Sequence, residues 1–139
     1  MTVEKPREPG KTTPTVLFVD DDAMVCRSMG RCLERWGFEV TTVTSAEEAL
    51  TEARLKRYDA IVTDHNMPTM TGAELLERLL ELDAGLRGRI ILTSGDLHTE
   101  ANEALLKRTG CRGLQKPFQL SELSLAVKAA ATQSSLTTA

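Results

Sequence analysis

Certain polar residues of this chain are of the types that handle metal and phosphate. Asp20, Asp21 and Asp22 stand in a row after the apolar run Val16 to Val19, Asp64 follows Ala60 to Thr63, Thr93 and Ser94 lie at the end of the run from Ile90, and Lys116 precedes Pro117. Taken alone, a triple aspartate is more often a solvated turn, and a single Asp after a strand often caps a helix. Brought together, the same residues have a specific chemistry. Three carboxylates within roughly 5 Å repel by about 3 kcal/mol per pair at an effective dielectric near 20, so the cluster is unfavourable unless protonated or filled by a cation. All-oxygen ligands without His or Cys favour a hard ion, and a small open site that keeps waters suits Mg²⁺ better than Ca²⁺. Such an ion bridges an incoming phosphoryl group and leaves one carboxylate as nucleophile. Lys116 supplies a second positive charge, and a hydroxyl from Ser94 or Thr93 donates to a phosphoryl oxygen.

The elements around these residues decide whether they meet. Short apolar runs at Val16 to Val19, Phe38 to Val43, Ala60 to Thr63, Ile90 to Thr93 and, weakly, Gly113 to Gln115 alternate with segments of helical period. That alternation predicts a parallel sheet covered by helices on both faces, an α/β doubly wound fold. The first, third and fourth runs are nearly continuous in apolar residues, which places them centrally. The helical stripes are Val25, Met29, Cys32, Leu33, Trp36; then Ala46, Ala49, Leu50, Ala53; then Leu75, Leu76, Leu79, Leu80; then Leu97, Ala101, Ala104, Leu105; and Leu120, Leu123, Val127, Ala130. All are expected in the core, Trp36 included. Ser45 with Glu48 and Thr71 with Glu74 read as capping boxes, and Gly37 and Gly110 sit where a helix end needs a left-handed residue. In an open parallel sheet, ligand sites lie outside the carboxyl ends of the strands. The polar residues above all occupy that edge, and their coincidence there favours a site over scattered turns.

Composition narrows the function class. The chain has 139 residues, 41% hydrophobic and 27% charged, enough for one ordinary globular domain. A net charge of −3 and a pI near 5.4 give no general attraction for nucleic acid or anionic lipid. No apolar run reaches the roughly eighteen residues of a membrane span, and MTVEKPREPGKTTPT lacks the apolar stretch of a signal peptide, so a cytoplasmic location is expected. Cys26, Cys32 and Cys111 have no CxxC spacing and read as buried, reduced thiols. Residues 1–14, with three of the five prolines, read as a flexible leader, and residues 132–139, TQSSLTTA with its preceding boundary at Ala131, as a flexible tail or severed linker.

From about Thr15 to Ala131 the chain resembles the receiver domain of two-component response regulators. The resemblance is carried by VLFVDDD at 16 to 22, VTDHNMPTMTG at 62 to 72, ILTSG at 91 to 95 and QKPF at 115 to 118. It implies a CheY-like, flavodoxin-like (βα)5 three-layer sandwich with strand order 2-1-3-4-5. It makes Asp64 the phosphoacceptor, Asp20 and Asp21 the metal-binding acids together with Asp64, and Asn66 a metal ligand through its backbone carbonyl. Lys116 contacts the phosphoryl group, Pro117 follows it through a cis peptide, and Gly72 has a structural role. Position relative to Asp64 and Lys116 selects Ser94 over Thr93 as the phosphoryl-contacting hydroxyl. The implied cofactor is Mg²⁺, with Mn²⁺ as a substitute. The implied donor is a sensor histidine kinase or a histidine phosphotransfer protein, and a downstream protein partner receives the signal. A homodimer is compatible with such a domain, whereas direct nucleic-acid binding and membrane association are not expected. The domain assists its own phosphorylation and dephosphorylation without a separate substrate, so it is not an enzyme in the usual sense.

The chain departs from the pattern at Gly113, Leu114 and Gln115, where receivers commonly carry an aromatic residue. Movement of the Ser94 loop and the fourth helix is expected to carry the signal instead. His65 has no second histidine near it and reads as a residue of the site's rim; His98, among acids, reads as solvated surface. Met67 and Met70 flank Pro68 and are expected to pack over the loop. Lys107, Arg108 and Arg112 read as a solvated basic cluster. The rival class is a phosphatase of the haloacid dehalogenase type using Asp20 and Asp22. It requires a further acidic motif after the lysine, and beyond Lys116 the chain holds only Glu122. A flavin-binding module would need Gly, Ser and Thr donors after the first strand, where this chain has aspartates.

Overall fold

The computed structural model describes residues 13–137. The elements run β1 (Thr15–Val19), α1 (Ala23–Arg35), β2 (Glu39–Val43), α2 (Ala46–Leu55), β3 (Ala60–Asp64), α3 (Gly72–Leu82), β4 (Ile90–Ser94), α4 (Glu100–Thr109), β5 (Arg112–Gln115) and α5 (Leu120–Thr137), with a short 3-10 turn at Ala84–Leu86. All strand pairs are parallel, and the order across the sheet is β2-β1-β3-β4-β5. The expected doubly wound architecture and strand order are therefore the observed ones.

Alternation of side chains along each strand divides the core into two layers. Leu17, Val19, Ile61, Ile90 and Leu92 face α2, α3 and α4, where they meet Ala49, Leu50, Leu75, Leu76, Leu79 and Leu105. Val16, Phe18, Ala60, Val62 and Ile91 face α1 and α5, against Cys26, Leu33, Leu123, Val127 and Ala130. Strands β1, β3 and β4 are buried along their whole length, while the edge strands β2 and β5 are half-exposed. This is the central placement that continuous apolar runs imply. Burial of these layers is the main stabilising term of the fold.

Helix ends follow local chemistry. Thr71 and Glu74 form the complete capping box of α3. At α2, Ser45 Oγ accepts from the Glu48 N–H, but the Glu48 carboxylate reaches the N–H of Thr44, one residue short of a reciprocal box. Gly37 and Gly110 have φ of 99° and 73°, the left-handed region expected of them.

Sequence periodicity misplaces several residues. Trp36 is 53% exposed, because it is the C-cap of α1 and the chain turns away through Gly37, leaving Phe38 to fill the layer. In α4 the buried positions are Asn102, Leu105 and Thr109, whereas Ala101 and Ala104 are exposed. Polar Asn102 and Thr109 are buried at no cost in lost hydrogen bonds: Asn102 Nδ2 donates to the Asp96 carbonyl at 2.8 Å and Thr109 Oγ1 to the Leu105 carbonyl at 2.7 Å. Leu120, in the first turn of α5, is 41% exposed. Helix α5 runs to Thr137, and the segment after Ala131 contains no Pro or Gly. Residues 1–12 of the expected leader, and residues 138 and 139 of the expected tail, lie outside the described residues. The thiols of Cys26 and Cys111 are buried and Cys32 is half-buried, all three free.

Candidate functional site

The carboxyl edge of the sheet gathers the acids. Asp20 follows β1 directly, and its backbone N–H extends the ladder to the Val43 carbonyl at 3.2 Å. Asp64 is the last residue of β3. Oxygens of Asp20, Asp21 and Asp64 all lie within 4.8 Å of one another, with Asp20 and Asp64 buried and Asp21 exposed. Lys116 Nζ donates to Asp64 Oδ1 at 3.0 Å from the end of β5.

The aspartate run divides its labour. Asp22 Oδ1 accepts from the N–H groups of Met24 (2.9 Å) and Val25 (3.3 Å), which makes it the N-cap of α1. Asp20 Oδ1 accepts from the Asp22 N–H at 2.9 Å, which fixes the carboxylate's direction. Only Asp21 is left without such a tie and projects into solvent beside the other two. Burial pushes the Asp20 carboxyl above its ordinary value, the bond from Asp22 opposes that, and the neighbouring charge on Asp64 adds to it.

The backbone ladder continues one step beyond the strands and holds the site in register. The N–H of His65 donates to the Thr93 carbonyl at 2.9 Å, and that of Lys116 to the Ser94 carbonyl at 2.8 Å. Asp64 pairs with Thr93, and Ser94 with Gln115. Ser94 is the last residue of β4, so the strand extends one residue past the expected end at Thr93. Ser94 Oγ accepts from the Asp96 N–H at 2.9 Å, which leaves its own hydrogen to donate elsewhere. The Lys116-Pro117 peptide is cis.

Gly72 brings the start of α3 against the site. Its N–H donates to the His65 carbonyl at 2.9 Å. A Cβ at this position would collide with the Asp64 carbonyl oxygen and stand 2.7 Å from His65 Cα. Asn66 is exposed on the loop between β3 and α3, and Met67 is buried while Met70 packs against the core beneath it. His65 is half-buried with Nδ1 lacking a hydrogen-bond partner. His98 is exposed and pairs with Glu103 at 3.5 Å, and Arg108 pairs with Glu77 at 2.9 Å. Gln115, which carried no signal in the sequence beyond its place before Lys116, bonds the loop after Ser94 on two sides.

Three carboxylates, no nitrogen or sulfur donor and one ammonium group fit a hard divalent cation. The donor set is all oxygen, and the burial that chiefly raises the Asp20 carboxyl, together with the smaller repulsion from Asp64, is a penalty that a bound cation would offset.

This combination of a doubly wound parallel sheet with an acidic cluster, a hydroxyl and a lysine at its carboxyl edge defines a receiver-type signalling module. The model of the response regulator receiver domain matches residues 16–128. The chain is similar to the transcriptional regulatory protein PrrA of Mycobacterium tuberculosis, 39% identical over 120 residues, covering 86% of this chain and 51% of that protein. It is also similar to the two-component response regulator ARR11 of Arabidopsis thaliana, 36% identical over 113 residues, covering 79% of this chain and 21% of that protein. Among solved structures, the receiver domain of the Francisella response regulator 1452 superposes with a TM-score of 0.79 at 30% identity, covering 87% of this chain and 98% of that one. Chemotaxis protein CheY4 of Vibrio cholerae gives 0.76 at 29%, covering 84% and 98%. The chain belongs to the response regulator receiver family of two-component systems. It spans about half the length of PrrA and a smaller share of ARR11. No helix among the described residues is long and apolar enough to cross a membrane.

Proposed function

We propose that this domain accepts a phosphoryl group on Asp64 from a phosphohistidine of a sensor kinase or phosphotransfer protein, within phosphorelay signalling. The observation that carries this reading is the placement of Asp64: it belongs to the acidic cluster and also receives the Lys116 ammonium at 3.0 Å. An Asp64 oxygen attacks phosphorus in line as the bond from phosphorus to the donor imidazole breaks, and the imidazole leaves with the electron pair and takes up a proton. Lys116 neutralises charge on the transferred group, and a strand-end hydroxyl donates to one of its oxygens. Water later hydrolyses the acyl phosphate, restoring the Asp64 carboxylate and releasing inorganic phosphate.

Asp20, Asp21, Asp64 and the Asn66 carbonyl would hold Mg²⁺, or Mn²⁺ in its place. The ion supplies charge neutralisation for the incoming phosphoryl oxygens. Ser94 is the hydroxyl we assign, because it links the site to the following loop through Asp96; Thr93 is the alternative on Asp64's own face of the sheet. Residues 15–131 form the receiver unit in this reading, in the cytoplasm, acting through a protein partner or a homodimer rather than on nucleic acid or membrane. A phosphatase using Asp20 and Asp22 is disfavoured because the Asp22 carboxylate is occupied as a helix cap.

Asp64→Asn is expected to abolish labelling by acetyl phosphate with Mg²⁺, and undiminished labelling of that variant would exclude Asp64. Ser94→Ala should slow labelling more than Thr93→Val; the opposite order would transfer the role to Thr93.

A further inference from the structure

One side-chain amide ties down the first part of the loop between β4 and α4, at Gly95 and Leu97. Gln115 Oε1 accepts from the Leu97 N–H at 3.1 Å, while Nε2 donates to the Gly95 carbonyl at 2.7 Å and to the Lys116 carbonyl at 3.3 Å. Inside the loop, Asp96 donates its N–H to Ser94 Oγ and accepts at its carbonyl from Asn102 Nδ2. Leu97 itself is buried. Its side chain lies over Gly113: a Cβ added there would stand 2.9 Å from Leu97 Cδ1 and 2.6 Å from Leu106 Cδ1. The volume that a larger residue on β5 would need is thus occupied from the other side, by leucines of the loop and of α4.

We infer that Gln115 is a positioning residue that latches the β4–α4 loop in the unphosphorylated protein, with Leu97 as the plug that leaves Gly113 when the latch opens. Ser94 sits at the hinge of this arrangement. Rotating its hydroxyl toward a phosphoryl group withdraws the acceptor from the Asp96 N–H, and Asp96 lies between the residues that the Gln115 amide holds. The loop then has two alternative sets of partners, one led by Gln115 and one by the modified Asp64, which is the form a two-state switch requires. A glycine at position 113 is compatible with such a device because it leaves room for Leu97 to seat. The inference rests on Asp64 as the acceptor, since the pull on Ser94 comes from there.

Amide hydrogen exchange and two-dimensional NMR of Gln115→Leu, which keeps bulk and loses the polar contacts, test the latch. Without any phosphodonor, the amides of Gly95 to Leu97 should exchange about tenfold faster than in the wild type, the loss expected from one or two hydrogen bonds. Resonances of residues 94 to 99 should move toward the positions the wild type takes with beryllofluoride and Mg²⁺. Labelling by acetyl phosphate should quicken a few-fold, because the competent loop is already populated. A residue that merely supports the strand would slow labelling and scatter the shifts off that line, and this result, or unchanged exchange, overturns the latch. Gly113→Ala supplies an independent arm: it leaves the amide intact, displaces Leu97, and should shift the same resonances in the same direction. Shifts in another direction overturn the plug. If the wild type took no label at all, the acceptor reading would fall, while the exchange comparison would still decide whether Gln115 holds the loop.

Discussion

Lys116 Nζ donates to Asp64 Oδ1 across 52 residues of sequence, with the lysine partly exposed and the aspartate almost buried. The two are joined through β4, which pairs with both of their strands. Lys116→Met should therefore leave the sheet intact and lower the rate of labelling by acetyl phosphate on the order of 10²-fold, the usual loss for one preorganised charge partner. Lys116→Arg is not expected to restore it, because a planar guanidinium cannot take the point position of an ammonium. Single-turnover labelling with circular dichroism as a check on folding measures both.

Asp20 gives a pH-dependent prediction. Its carboxyl is raised from 3.8 chiefly by burial, with Asp64's charge adding to the effect. A carboxyl raised on folding destabilises the native state when ionised: the penalty is complete above its folded pKa and disappears as pH falls to the unfolded value. Metal-free Asp20→Asn should accordingly be more stable than the wild type at pH 7, by about 0.5–2 kcal/mol, with the difference vanishing below roughly pH 3.8. Adding Mg²⁺ should reverse the order, stabilising the wild type by about 2.7 kcal/mol at a concentration 100 times its Kd. Urea titrations with and without Mg²⁺ across this pH range test both signs.

Gly72→Ala should destabilise the fold by about 1–3 kcal/mol, because the added methyl meets the Asp64 carbonyl and the His65 backbone, neither of which can rotate away. Loss of labelling should accompany it, since the displaced backbone is that of Asp64. Thermal unfolding of the variant provides the value.

Thiol reactivity separates the cysteines. Burial, and then the charge of Asp20, push the Cys26 thiol up to about 11, and burial also raises Cys111. In native protein at pH 8, iodoacetamide should modify half-buried Cys32 well before either of the others. Peptide mapping by mass spectrometry would show equal modification of Cys26 if its environment were more open than described.

The fold was legible because short, nearly continuous apolar runs alternating with helical stripes fit strands buried on both faces, and the acids and hydroxyls of the site sit at the ends of three of them, with Lys116 after the weaker run of β5. Strand ends were legible to about a residue: Asp64 and Ser94 close their strands rather than follow them. The phase of α4 was not, because Asn102 and Thr109 are buried through hydrogen bonds that hydrophobic periodicity does not register. Trp36 was misplaced since its spacing continues the stripe of α1 while its backbone has already left the helix. Nor does the run Asp20 to Asp22 announce which member is spent as a cap. The contacts of Gln115 were illegible for a different reason, as they depend on the register of β5 against β4 and on a loop conformation no local pattern specifies.

The central claim is that one carboxylate, Asp64, takes the phosphoryl group. Borohydride reduction after treatment with acetyl phosphate and Mg²⁺ converts an acyl-phosphorylated aspartate to homoserine, which tandem mass spectrometry locates in the sequence. Homoserine at position 64 is the predicted result. Homoserine at position 20, 21 or 22 with none at 64 would contradict it.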